Sequence, residues 1–179
     1  LILDLDGNGI RTTGIEAGTR FDIYADGERI NTGWVGSGDA LLVLDRNHDG
    51  QINDGSELFG TATARNDGSR ASDGFAALSD LDSNHDGVVD AQDGQYSSLR
   101  VWIDGNADGI SQSEELRSLG AVGVASLTVE ASKVSELDNN NWIGLRSSFT
   151  RSDGSSGQLA DVWFLTSRAA NTSALTQAL

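Results

Sequence analysis

One stretch of twelve residues, 82–93, limits what this chain can fold into more than any other feature of its sequence. Side chains that carry oxygen occupy its first, third and fifth positions, followed by glycine at the sixth, valine at the eighth and aspartate at the twelfth. Calcium binds six to eight oxygen atoms, and alternate residues of a tight loop can all turn toward one ion. The stretch therefore predicts an EF-hand-like calcium loop. Its predicted ligands are Asp82, Asn84, Asp86, the carbonyl of Val88, Asp90 and Asp93.

Three other stretches repeat this pattern in part, which favours calcium binding over ordinary turns rich in Asp, Asn and Gly. Residues 104–115 end on a glutamate that can bind through both oxygens. In residues 45–57 the closing acid comes one residue late, and Asp54 is a second candidate for that role. In residues 4–15 the twelfth position is Ile15, so either a remote acid completes the shell or the loop is a turn without metal. The ligands predicted in these loops are Asp104, Asn106, Asp108, the carbonyl of Ile110 and Glu115; Asp45, Asn47, Asp49, Gln51, Asp54 and Glu57; and Asp4, Asp6 and Asn8.

A fifth stretch, residues 22–27, has Tyr24 where the pattern needs an oxygen ligand. An ordinary hairpin turn is the better interpretation of this stretch. His48 and His85 both fall at the fourth loop position, where a side chain faces away from the ion, so both are expected to be exposed. In total we expect three to five Ca²⁺ ions.

Hydrophobic periodicity predicts short strands between the loops. The predicted strands are residues 1–6, 40–44, 99–103 and 124–129, and a hairpin at 145–151 and 158–165 closes the chain.

Helical spacing predicts three short helices. One begins at the N-cap Asp73 and ends before the 82–93 loop, and one begins at Asp90. A third starts with a capping box at Ser111 and Glu114 and runs through Leu119. The predicted fold class is therefore α+β, a single domain of short strands and helices built around EF-hand-like calcium loops. This module spans residues 1–179, with 171–179 as a short helix or a frayed end.

The chain is strongly acidic, and its charge limits its partners. It has 27 Asp and Glu against 12 Lys and Arg, a formal net charge of −15 over 179 residues. This charge argues against nucleic acids and anionic membranes as partners, and the sequence has no apolar run long enough to insert into a membrane. There is no cysteine to form a disulfide, and the first residue is not Met, so we expect a fragment of a longer polypeptide.

Several segments, in order, resemble the self-processing module of FrpC-like RTX proteins, which Gram-negative bacteria secrete by the type I route. Most of the resemblance lies in the first 130 or so residues, and each segment is weak alone. The matching segments are residues 3–7, 32–35, 41–45, 55–60, 81–87, 99–102, 108–112, 115–116 and 161–164.

The resemblance implies calcium-triggered autocatalysis. In that family calcium folds the module, which then breaks an Asp-Pro bond just before the segment that matches residues 1–6. The Asp side chain attacks its own carbonyl to give a cyclic anhydride, and the new Asp end can pass to a lysine amine as an isopeptide. The implied partners are calcium, the flanking segments of the parent polypeptide and a lysine-bearing acceptor protein. The scissile pair is not within this chain, which has no proline, and Lys133 is its only lysine.

Two alternatives remain at this stage. A non-catalytic calcium-loaded folding or spacer module of a secreted adhesin or toxin shares every residue above. An intracellular EF-hand sensor fits less well, because such sensors expose apolar grooves that are often rich in Met, and this chain has none. The resemblance to RTX proteins secreted by the type I route implies a location outside a Gram-negative cell or on its surface.

Overall fold

A curled antiparallel sheet of nine strands dominates the computed structural model of the protein, which describes residues 1–169. Two small two-stranded sheets lie beside it, one formed by β2 and β5 and the other by β3 and β4. In chain order the strands are β1 (Ile2–Asp4), β2 (Thr12–Thr13), β3 (Arg20–Phe21), β4 (Ile30–Asn31), β5 (Trp34–Val35), β6 (Asp39–Val43), β7 (Val88–Val89), β8 (Arg100–Trp102), β9 (Leu116–Ser118), β10 (Val124–Thr128), β11 (Ser132–Asp138), β12 (Asn141–Arg151) and β13 (Ser156–Trp163).

The first strand of the chain lies in the middle of the large sheet. The order is β7-β10-β12-β13-β1-β6-β8-β9, and β11 pairs with residues 141–146 of β12, on the edge where β10 pairs with residues 149–151. Within β1, Ile2 faces Ala160 on one neighbour and Leu41 on the other. A strand between two partners has no free edge, so β1 is fixed along its whole length. The loops that begin at the ends of β1 and of its neighbouring strands are therefore anchored at a fixed place.

Side chains alternate across β1 and β6, and each face of the sheet has its own core. Leu1, Leu3 and Leu42 pack on the face that also holds Phe75 and Phe149. On the other face, Ile2 and Leu41 join an aromatic cluster. In that cluster the ring centroids of Phe21, Trp34 and Trp102 lie 5.0 to 5.8 Å apart. The predicted strands at 1–6, 40–44, 99–103 and 124–129 and the closing hairpin are confirmed, with shifts of a few residues at their ends.

The predicted α+β class is wrong, because the described chain is mostly β-structure. Its α-helix α1 (Gly74–Ser79) does begin after Asp73, whose carboxylate accepts a hydrogen bond of 2.8 Å from the amide of Ala76. The helix expected from Asp90 is reduced to a 3₁₀ turn at Tyr96–Ser98. The loop after Asp82 instead enters β7, which pairs with β10. This loop therefore joins a helix to a strand and is not part of a helix–loop–helix EF hand.

The helix expected to run through Leu119 is also wrong. A single 3₁₀ turn, Ser113–Glu115, is followed by β9, where Leu116 pairs with Trp102 of β8. Hydrogen bonding to a neighbouring strand outweighs the weak local preference for a helix in these residues. One half of the predicted capping box is present one residue later, where the amide of Gln112 donates to the carboxylate of Glu115 at 3.2 Å.

The single-module prediction for residues 1–179 stays a prediction, and the terminal segment 171–179 lies outside the described residues. Within residues 1–169, every helix is too short or too polar to cross a lipid bilayer.

Candidate metal centres

The loop that begins at Asp82 has a backbone wrapped around its first carboxylate. The amides of Asp86 and Gly87 donate to the two oxygens of Asp82, at 3.2 and 2.9 Å. The oxygen of Asn84 accepts from the amide of Asp86 at 3.1 Å, and the carboxylate of Asp86 accepts from the amide of Val88 at 3.1 Å. The side chains at positions one, three and five are therefore gathered on the inside of the turn, as a calcium shell requires.

The same arrangement recurs in the loops that begin at Asp45 and Asp104. In each, the amides at positions five and six donate to the first aspartate, at distances of 2.8 to 3.3 Å. His48, His85 and Ala107, the fourth residues of the three loops, all adopt positive φ, between 55 and 59°. Both histidines are exposed, as predicted. The hydrogen bonds among the third, fifth and seventh residues of the first loop, Asn84, Asp86 and Val88, also recur. Their equivalents are Asn47, Asp49 and Gln51 in the second loop and Asn106, Asp108 and Ile110 in the third.

An acid from the end of each of these loops folds back onto its start. Asp93 accepts from the amides of Ser83 and Asp90, at 2.7 and 2.9 Å. In the same way Glu57 accepts from the second and ninth residues of its loop, at 3.1 and 2.8 Å. Glu57 thus occupies the place of the twelfth residue although it is the thirteenth. Asp54 instead accepts from the amide of Ser56 at 2.9 Å.

Burial raises the pKa of Glu57, assisted by the charge of Asp45, while backbone amide donors lower it. Glu57 is almost fully buried. A positive ion would relieve the cost of holding this carboxylate close to Asp45.

The Asp104 loop brings three acids to one point. Single carboxylate oxygens of Asp104, Asp108 and Glu115 all lie within 4.8 Å of one another. Two buried tryptophans fix this group from the aromatic core. Trp34 Nε1 donates to Asp104 at 2.7 Å, and Trp102 Nε1 donates to Glu115 at 3.0 Å. The indole rings therefore hold two of the predicted ligands directly.

The loop that begins at Asp4 obtains its missing acid from a different strand. Oxygens of Asp4, Asp6 and Asp39 lie within 4.8 Å of one another, because Asp39 begins β6 directly opposite Asp4 of β1. Asp39 is fully buried, and its Oδ2 accepts from the amide of Arg11 at 2.7 Å. Its Oδ1 has no hydrogen-bond partner. Burial, opposed by the Arg11 amide and assisted by the charges of Asp4 and Asp6, raises the pKa of Asp39 to about 7.

This geometry fits a hard cation. Each of the four loops offers carboxylate and amide oxygens and no nitrogen or sulfur ligand, which suits Ca²⁺ better than a transition metal. A buried carboxylate oxygen without a donor is costly unless a cation faces it. Asp39 was missed in the sequence because it lies 35 positions from Asp4 and opens a strand without any local motif. Pairing of β1 with β6 is what brings the two together.

The fifth loop is built in the same way but carries a side-chain cation. The amides of Asp26 and Gly27 donate to Asp22 at 3.0 and 2.7 Å, between the paired strands β3 and β4. Arg168 donates to Asp26 at 2.8 Å, and its guanidinium lies 4.7 Å from the centroid of the Tyr24 ring. The predicted hairpin turn is confirmed, although its backbone follows that of the other loops.

The start of the chain lies in a second region of interest, a pocket of about 140 Å³. The amino group of Leu1 is buried and donates to the carbonyl of Phe59 at 2.8 Å. Burial lowers the pKa of this amino group, while the nearby charge of Asp161 raises it. Asp161 is itself buried and accepts from the amide of Gly74 at 2.6 Å. The pocket is lined by Leu1, Tyr24, Phe59, Thr61, Asp161 and Trp163, among others.

Comparison with known proteins agrees with the resemblance to FrpC-like RTX proteins. A family model described as the SPM domain matches residues 1–165. The chain is 46% identical over 165 residues to the iron-regulated protein FrpA of Neisseria meningitidis serogroup C. That alignment covers 90% of this chain and 15% of FrpA, so the chain spans a small part of this relative's length.

Proposed function

This chain belongs to the SPM domain family, and we propose that it is a calcium-dependent self-processing module of a secreted RTX protein. In this proposal calcium orders the module, and the ordered module breaks an Asp-Pro bond just N-terminal to Leu1. The reaction is a single autocatalytic turnover. The similarity to FrpA and the acidic, oxygen-rich loops support an RTX origin and export by the type I route.

One observation carries the proposal, namely the position of β1. The last residue of β1, Asp4, is the first ligand of a candidate calcium centre. Leu1, which directly precedes β1 and is buried, lies only three residues before Asp4. Calcium at Asp4, Asp6 and Asp39 would join β1 to β6 at the end of the sheet where Asp4 pairs with Asp39. The proline before Leu1, and the Asp-Pro bond that enters it, would then be held at a fixed place next to the pocket. This gives a direct route from metal binding to the scissile bond.

The chemistry needs position more than it needs a strong base. A carboxylate held against its own carbonyl can act as a nucleophile, and intramolecular placement removes much of the entropic barrier. Proline is a suitable leaving group because its nitrogen carries no hydrogen and its amide tolerates twisting. The anhydride formed upstream would be opened by water or by a lysine amine. Within the chain Lys133 is exposed on β11, and a lysine of another protein is the second kind of acceptor.

Calcium would also change the energetics of the whole module. Four ions would bring the formal charge from −15 to about −7. With dissociation constants near 1 μM and free calcium near 1 mM, each ion would stabilise the folded state by about 4 kcal/mol. A domain of this size is normally stable by about 5–15 kcal/mol. The module would therefore stay largely unfolded at cytosolic calcium and fold after export.

A passive calcium-loaded folding or spacer module is the second candidate. The same four loops favour it, because metal-stabilised folding needs no scissile bond. The two candidates differ only in what the ordered Leu1 segment does to the residues before it.

The experiment uses the chain extended by its native upstream residues. Calcium is added to the purified protein, and the products are followed by gel and by intact mass. We expect two fragments, with a new N-terminal proline before Leu1, in calcium but not in chelator. Asp4→Asn should slow this cleavage, whereas Asp153→Asn, an exposed change in the β12–β13 turn, should not. An extended protein that binds calcium and stays intact would favour the passive module.

A further inference from the structure

The residue across the sheet from Leu1 is an acid. Strands β1 and β13 are antiparallel, with Ile2 opposite Ala160 and Leu3 opposite Leu159. When this register is continued by one residue, Asp161 lies opposite Leu1, and Val162 lies opposite the residue that precedes Leu1. Directly opposed residues in an antiparallel pair have Cα atoms about 4.5–5.5 Å apart. Asp161 therefore lies one residue along the sheet from the proline that the proposed function places before Leu1, and the nitrogen of that proline is the leaving group.

Asp161 is buried beside the first residue of the chain. Only 3% of its surface is exposed, and it shares the pocket with Leu1, Phe59 and Trp163. The amide of Gly74, at the start of α1, donates to its Oδ2 at 2.6 Å and fixes the direction of the side chain. None of the four calcium loops uses Asp161, so the fold places a buried acid here without a metal to explain it.

We propose that Asp161 donates the proton to the leaving nitrogen when the bond upstream of Leu1 breaks. This inference rests on the proposed self-processing function. The upstream aspartate carboxylate forms a C–O bond to its own carbonyl carbon, and the C–N bond to proline breaks. The electron pair goes to the proline nitrogen, which takes the carboxyl proton of Asp161. The products are a cyclic anhydride, a secondary amine and the Asp161 carboxylate, which regains a proton from water.

The charges around Asp161 support its protonated form before cleavage. Burial raises its pKa, the Leu1 ammonium lowers it, and the Gly74 amide also lowers it, whereas the Asp73 carboxylate raises it. When Leu1 is joined to a preceding residue, its nitrogen is an uncharged amide. That removes the positive charge next to Asp161 and leaves burial and Asp73 to favour the neutral acid. A carboxyl kept neutral in this way can act as a general acid.

The test compares Asp161→Asn with wild type in the chain extended by its native upstream residues. Asparagine keeps an oxygen for the Gly74 amide but has no acidic proton. We expect cleavage in calcium to slow by about 100-fold or more, while the calcium-induced change in tryptophan fluorescence is retained. Asp153→Asn is the matched control and should cleave at the wild-type rate. Cleavage of Asp161→Asn within about threefold of wild type would overturn the proposal.

A second measurement keeps the test decisive if Asp161→Asn does not fold. In the wild-type extended chain, the cleavage rate should fall on the alkaline side of its pH profile, by about tenfold per pH unit, as Asp161 loses its proton. A rate that stays level or rises up to about pH 9 contradicts proton donation by a carboxyl. Failure of the wild-type chain to cleave at all would refute the self-processing function itself, which is a different outcome from a change confined to Asp161.

Discussion

Asp39 gives the sharpest prediction, because its protonation would compete with the proposed calcium binding. Its pKa of about 7, against about 3.9 in an unfolded chain, means that the folded metal-free protein holds an extra proton there at mildly acidic pH. Because the pKa is raised on folding, the stabilising contribution of this group is fully present below about pH 4 and is lost as the pH rises through about 7. Calcium at Asp4, Asp6 and Asp39 must displace that proton.

The expected size follows from simple titration. Between pH 8 and pH 6 the apparent dissociation constant of this centre should rise about tenfold, or about 1.4 kcal/mol. At pH 7 binding should release about half a proton per ion at this centre. Calorimetric calcium titrations in two buffers of different ionisation enthalpy measure that release directly.

The variant Asp39→Asn isolates the contribution of this one group. It should weaken calcium binding, because a carboxylate ligand is lost, and it should remove the half-proton from the total. Any release that arises from Glu57, whose pKa is also raised, remains in both proteins and cancels in the comparison. Asp153→Asn serves as the control. Equal proton release from wild type and Asp39→Asn would refute the assignment of Asp39 to a calcium centre.

Other expectations concern stability and can be measured by denaturant unfolding in calcium. Asn141→Ala should lower the free energy of unfolding by about 2–4 kcal/mol, because the buried side-chain amide donates to Thr12 and to the Thr13 carbonyl and accepts from the Leu165 amide. A loss below about 1 kcal/mol would contradict this expectation. Leu42→Ala should cost about 2–5 kcal/mol, since Leu42 is fully buried in β6, and an unchanged midpoint would show that the core repacks. Arg168→Ala should cost less than about 1 kcal/mol, and any loss should shrink in high salt, because its acid partners are exposed.

Much of the fold could be predicted where short-range patterns decide the structure. Strands such as β6 carry uninterrupted apolar residues, and the hairpin of β12 and β13 surrounds a turn rich in Gly and Ser. The Asp-rich loops were equally visible, because alternate ligands and a glycine at position six leave a strong local signal. The helices after the loops were not predictable in this way. Whether Leu116 continues a helix or pairs with Trp102 depends on β8, a separate strand on the far side of the Asp104 loop, and not on the residues next to Leu116.

The remaining site residues depend on contacts between distant segments. Asp39 follows a Gly-Ser-Gly sequence that has no meaning until β6 pairs with β1. Asp161 lies in β13, and only the register of β13 with β1 sets it opposite Leu1. Long-range pairing of this kind leaves no periodic trace in a single sequence. The one signal that would have pointed to Asp161 is its place as a single acid between the apolar pairs Leu159-Ala160 and Val162-Trp163.

Thermal unfolding of the 179-residue chain in about 1 mM calcium and again in excess chelator tests the central claim most directly, with the tryptophans as the probe. Trp34 and Trp102 bond to Asp104 and Glu115, so their emission reports on a candidate centre as well as on the core. We expect a cooperative transition in calcium and, in chelator, a transition at much lower temperature or none. The same midpoint in both solutions would contradict the proposal that calcium in the Asp-rich loops holds this fold together.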